Sequence, residues 1–150
     1  MINIYGAVLL VLLMTPNIIY LQKTKGNSNE SEHKKITSVE ITEQIGRYGC
    51  IIFLLVNTGL FEYGFASYAA VLIWAVIAAL LMAAYYLFWV LLFKKYNEKL
   101  CMILLAVIPS VIFIFSGIMM RRMIVVVFGV IFAAAHIYIT YNSGKKSRVI

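Results

Sequence analysis

The chain has 150 residues, 63% of them hydrophobic, a net charge of +7 and no aspartate. A soluble domain is nearer about 45–50% apolar, so the excess faces something other than water. The basic residues lie in short segments between apolar runs, which makes them topology signals and contacts for anionic lipid headgroups, with no nucleic acid as partner. The missing Asp excludes an aspartate-pair mechanism, an Asp-rich Mg²⁺ site and an aspartyl nucleophile.

These features predict one all-α membrane domain over residues 1–150, a polytopic bundle of five transmembrane helices. The first apolar run, 4–21, has no basic segment ahead of it, since its first lysine is Lys23, and no small-residue cleavage site. It therefore reads as a retained helix and not as a leader. Pro16 should kink it. Asn3, Gly6, Leu10, Leu13 and Asn17 share one helical face, which should look inward. Residues 22–37 are polar and without periodicity, as a cytosolic loop would be. Thr37 and Glu40 fit a capping box, so a helix should begin near Ser38, with Glu40 and Glu43 at the positive end of its dipole. Residues 38–46 are weakly amphipathic and either lie on the membrane or extend the second span, 47–61.

The third run, 66–93, carries no charge, Pro or Gly and exceeds the roughly 20 residues that cross a bilayer. Its small residues Ala75, Ala79 and Ala83 should let a neighbour approach closely, at Gly129 and Ala133, while Ile73, Ile77 and Leu81 meet lipid. Lys94, Lys95 and Lys99 precede the fourth span, 100–120, which holds Pro109. Arg121 and Arg122 separate it from the fifth, 123–141. With the N-terminus outside, the cytosolic segments hold every Lys and Arg except Arg121 and Arg122, so the positive-inside rule favours N-out and C-in. Tyr85, Tyr86, Trp89 and Tyr96 would then form an aromatic collar at the cytosolic interface.

Two polar clusters stand out. At the outer side Arg121 and Arg122, with Glu62, either bind an anion or anchor the turn to lipid phosphates. Asn3, Asn57, Thr58, Ser67, Tyr68 and Ser116 lie near the same face. At the inner side His136 is an ionisable group within an apolar span, on the face of Arg122, Gly129, Ala133 and Thr140. Asn17, Tyr20 and Arg47 sit at similar depth, and Glu43 is close in sequence to Arg47. Such intramembrane groups are costly and point to function, or to a neutral His held by a carbonyl or by Asn17. No metal site is expected, because zinc needs three or four ligands at workable spacing. No cofactor is expected either, since one buried His is poor support for a haem. Ser116 and His136 lie too far apart in depth to act as a protease pair. Cys50 and Cys101 form no CxxC motif and read as packing thiols.

Three motifs, Pro16-Asn17-Ile18-Ile19-Tyr20, Glu43 to Gly49 (EQIGRYG) and Ala135 to Tyr141 (AHIYITY), together with the layout, resemble a family of small, uncharacterised five-span bacterial membrane proteins. The resemblance covers most of the chain and implies the topology, in the cell membrane, but no activity. It places all three motifs at the cytosolic ends of helices one, two and five. The functional expectation is a small membrane-embedded binding or transport protein, as a homo-oligomer or with a membrane partner subunit. A membrane enzyme acting on a lipid or isoprenoid, with Glu43, Arg47 and His136 as acid/base and anion-binding groups, is the alternative. So is an accessory or immunity-type interaction subunit without chemistry.

Overall fold

A computed structural model describes residues 2–24, 38–59, 63–94 and 96–146; side chains are described over the same residues except 20–24, 98 and 143–146. Five α-helices follow in order: α1 (Ile4–Thr24), α2 (Ser38–Leu55), α3 (Tyr68–Phe93), α4 (Glu98–Met119) and α5 (Met123–Lys146). Among the described residues three stretches are long and apolar enough to cross a membrane: Tyr68–Phe93, Lys99–Met119 and Met123–Asn142. The expected loop 22–37 and its capping Thr37 fall largely outside the described residues. Residues 38–46 continue into the second apolar run as one helix, which ends at Leu55 rather than near residue 61.

The helices close into a ring. Helix α5 packs against α2 and α4, α3 packs against α4, and α1 bridges α2 and α3. The tightest seams depend on glycine. A Cβ at Gly46 would lie 2.6 Å from the Phe132 backbone nitrogen, and one at Gly129 would lie 2.9 Å from the Ile114 side chain. In a lipid solvent there is little hydrophobic drive between helices, so close backbone approach of this kind supplies much of the packing. Large side chains such as Ile4, Val8, Leu72, Ile73, Val76, Leu80, Val127 and Val130 cover the perimeter and are exposed. A soluble helix bundle would bury such a belt; a membrane protein turns it to acyl chains.

Helix α1 faces as its sequence pattern predicts, with Gly6, Leu10 and Leu13 buried and Asn3 and Asn17 partly so. Pro16 lies inside a helix that continues past it. Proline removes the N–H that the Leu12 carbonyl would accept. The Tyr86 hydroxyl of α3 replaces it, donating to the Leu12 oxygen at 2.8 Å.

Helix α3 corrects two expectations. Its buried stripe is Trp74, Ala78, Met82, Tyr85 and Trp89. Ala75, Ala79 and Ala83 are exposed, and Gly129 meets Ile114 of α4 instead. The reason is polar: Trp74 Nε1 donates to Ser116 Oγ at 3.0 Å, and Asn17 Nδ2 donates to the Tyr85 hydroxyl at 3.1 Å. Those two partners fix the rotation of an otherwise uniformly apolar helix. The aromatic collar therefore loses Tyr85 and Trp89, which are 1% and 7% exposed, while Tyr96 stays open.

Candidate functional site

The ring has two polar ends with different architecture. At the end formed by the α1 N-terminus, the α2 C-terminus and the α4–α5 turn, polar groups close helix termini. Asn3 N donates to the Leu55 carbonyl at 2.7 Å, and Asn3 Oδ1 accepts from Tyr5 N at 3.1 Å. Ser67 Oγ caps α3 by accepting from Ala70 N. Arg122 is 5% exposed and donates to the Phe53 oxygen at 2.8 Å, the Leu54 oxygen at 3.3 Å and Asn57 Oδ1. The last carbonyls of a helix have no N–H partners of their own and carry partial negative charge. A guanidinium with five fixed donors answers both needs. Arg121 differs: its backbone has a φ of 52° and its guanidinium lies 5.0 Å from the Tyr63 ring centroid, outside the bundle. The two arginines therefore do not converge on one site. Glu62 lies outside the described residues.

The opposite end is built around a charge trio. Glu43 is only 6% exposed. Its carboxylate pairs with Arg47 one turn on, and its Oε1 lies 3.1 Å from His136 Nδ1. The geometry follows from Gly46, which lets α2 seat on the Phe132 backbone of α5 and brings both ionic partners against His136. Phe132 stacks on the imidazole with centroids 4.8 Å apart, and the Arg47 guanidinium sits 5.8 Å from the same ring centroid. A desolvated carboxylate is tolerable only when charged and hydrogen-bonding partners surround it, and here two do.

Arg47 and His136 open onto a cavity of about 290 Å³ to which all five helices contribute. Helix α1 supplies Asn17, α3 supplies Tyr85, and α4 supplies Pro109 and Phe113. Pro109 cannot donate to the Leu105 carbonyl four residues back, and both residues line the cavity. Glu43 stands behind Arg47 and His136, where it lines a separate surface groove with Glu40, Gln44 and Phe128.

Of the sequence-derived inner residues, Asn17, Arg47 and His136 meet at the cavity. Thr140 turns back along α5, donating to the His136 carbonyl at 2.9 Å, and the Tyr20 side chain lies outside the described residues. The partner of His136 is Glu43 rather than Asn17, which is engaged by Tyr85. Sequence reasoning missed Tyr85 and Phe132 in the wall. It also missed that Glu43 is more enclosed than His136; the Gly46 and Gly49 pair, which allows α2 to press on α5, was the available signal. Among the described residues no three His, Cys or Glu side chains converge as a metal ion would require.

Chemically, the cavity presents a guanidinium, an imidazole, an amide and a phenol beside the apolar surfaces of Leu13, Met14 and Phe113. That set combines hydrogen-bond donors and acceptors with two ionisable side chains on one wall. No family model, curated protein or solved structure matches this chain.

Proposed function

We propose that this protein is a five-span, N-out/C-in membrane protein of the bacterial cell membrane, and that it binds or transports a small polar solute in the cavity at the cytosolic side of the ring. The observation that carries the reading is the convergence of all five helices on one cavity beside the buried Glu43 and its half-buried partners Arg47 and His136. Intramembrane ionisable groups are expensive to keep, and a cavity beside them gives a reason to keep them. Sites of this kind favour helix interfaces and proline-interrupted helices, and Pro109 borders this one. The orientation rests on the lopsided distribution of Lys and Arg, and the likeness to small five-span bacterial membrane proteins supports the same layout. In this reading α2 crosses with its charged half shielded by α5, as the burial of Glu43 allows.

A second reading has one observation behind it. The groove outside α2 is apolar along Ile45, Ile52, Phe53 and Phe128 and acidic at Glu40 and Glu43, a shape suited to an acyl or isoprenoid chain. It supports the alternative of a membrane enzyme acting on a lipid.

The two part on one experiment. Purified protein in nanodiscs is titrated with labelled small solutes (carboxylates, amino acids, amines and sugars) for the wild type and for His136→Leu. The expected result is saturable binding of one class that falls at least tenfold in the variant while its melting temperature holds. Equal binding by His136→Leu, or no saturable binding of any class, would overturn the reading, and turnover of an isoprenoid or phospholipid would install the second.

A further inference from the structure

The charge around the cavity is unevenly placed. On the α1, α3 and α4 sides the wall offers Asn17, Tyr85 and the apolar Leu105, Pro109 and Phe113, with no charge among them. Among the described residues that line it, charge comes from α2 and α5 alone. Arg47 and His136 line the cavity, while the Glu43 carboxylate that touches both lines the outer groove. The solute space therefore meets a cation and several donors, and the anion sits behind them. Its remaining surface, including Leu13, Met14, Ile18 and Phe113, is apolar.

We propose that the cavity takes a small monocarboxylate with a short apolar body, and takes it together with one proton; the proposal rests on the binding reading above. The fork of Arg47 is the natural partner for a carboxylate, which it can meet with two parallel N–H donors. The proton follows from charge balance. With His136 neutral, Arg47 and Glu43 cancel, and the trio is uncharged. A carboxylate added to it would leave one net negative charge among largely apolar walls, which is unfavourable. A proton placed on the Glu43–His136 pair restores neutrality. The step is simple in atoms: the His136 Nδ1–H already faces the Glu43 carboxylate, and a hydronium ion gives its proton to the other ring nitrogen, forming the N–H bond at Nε2, and leaves as water. Because the two groups lie 3.1 Å apart, the proton belongs to the pair. Anion and proton therefore enter as an electroneutral couple, the arrangement needed for proton-linked carboxylate movement.

The test uses shape-matched probes of three charges: benzoate, benzamide and benzylamine. Each is titrated into the wild-type protein in nanodiscs in weak buffer with a pH indicator. Benzoate should bind best and draw up close to one proton per molecule bound, and its affinity should rise by up to tenfold per pH unit of acidification. Benzoate binding without proton uptake, or preferential binding of benzamide or benzylamine, overturns this inference while leaving a binding protein in place. No binding by any probe in the broader solute series overturns both. Glu43→Gln leaves Arg47 uncompensated, so benzoate should then bind without a proton and without pH dependence. His136→Gln gives an independent check through the other member of the pair, with proton uptake abolished and benzoate affinity reduced at least tenfold. Wild-type proton uptake persisting in either variant contradicts the assignment.

Discussion

The two polar ends of the ring use the same residue type in opposite ways. Arg122 is 5% exposed and directs its donors at the carbonyls of Phe53 and Leu54, so its charge closes a helix terminus. Arg47 is paired sideways with Glu43 and faces a cavity. The difference lies in what surrounds each. At the Arg122 end the described residues offer the guanidinium the carbonyls of Phe53 and Leu54 and the Asn57 amide oxygen. At the Arg47 end the acceptor is a titratable carboxylate shared with a histidine, and an open space adjoins. An arginine in a membrane bundle therefore signals function when its partner is another ionisable side chain, and architecture when its partner is a helix end.

The sharpest way to break this contrast is at the architectural arginine. Arg122→Met removes three donors and strands the last carbonyls of α2, which should cost about 2–3 kcal/mol in reversible unfolding in detergent. A loss of less than half of that would move Arg122 out of the structural role. Next in size is Gly46→Ala. Its methyl would sit 2.6 Å from the Phe132 nitrogen, so α2 must lift from α5 at about 1–3 kcal/mol, and the distance from Glu43 to His136 must change with it. This variant joins the two halves of the comparison, since stability and solute binding should fall together.

Tyr86→Phe comes third. It leaves the Leu12 carbonyl, already deprived by Pro16, without its hydroxyl donor, at about 0.5–1.5 kcal/mol. Thermal unfolding of this variant beside Pro16→Ala and the double variant isolates the coupling: with the proline gone, the hydroxyl should matter less. The smallest stability effect belongs to Asn17→Leu in the cavity wall, within about 1 kcal/mol, because the Tyr85 hydroxyl keeps access to the cavity. Its effect on solute binding should be at least tenfold. A large stability loss with unchanged binding would place Asn17 with Arg122.

The number and order of helices were legible because charge and turn residues punctuate apolar runs. The inward face of α1 was legible too, since Asn3, Gly6 and Asn17 interrupt a lipid-facing surface at helical spacing. The face of α3 was not. Apolar on all sides, it carries no periodic signal, and its rotation is set by two hydrogen bonds, from Trp74 to Ser116 and between Asn17 and Tyr85, whose partners lie far away in sequence. His136 could be singled out because it stands alone in an apolar run. Glu43 could not be recognised as its equal, because among Thr42, Gln44 and Arg47 it looks like one more polar residue near a helix start. Its burial is a property of the α2–α5 seam.

The central claim, that the His136 end is an open polar site and the Arg122 end a closed joint, meets its most direct test in thiol labelling. Asn17→Cys and Ser116→Cys are treated with a membrane-impermeant maleimide in inside-out and right-side-out vesicles; the buried Cys50 and Cys101 set the unreactive baseline. Asn17→Cys should label in inside-out vesicles alone, and Ser116→Cys, at a position with 0% exposure, in neither. Labelling of Ser116→Cys at the rate of Asn17→Cys, or silence of Asn17→Cys in inside-out vesicles, would contradict it.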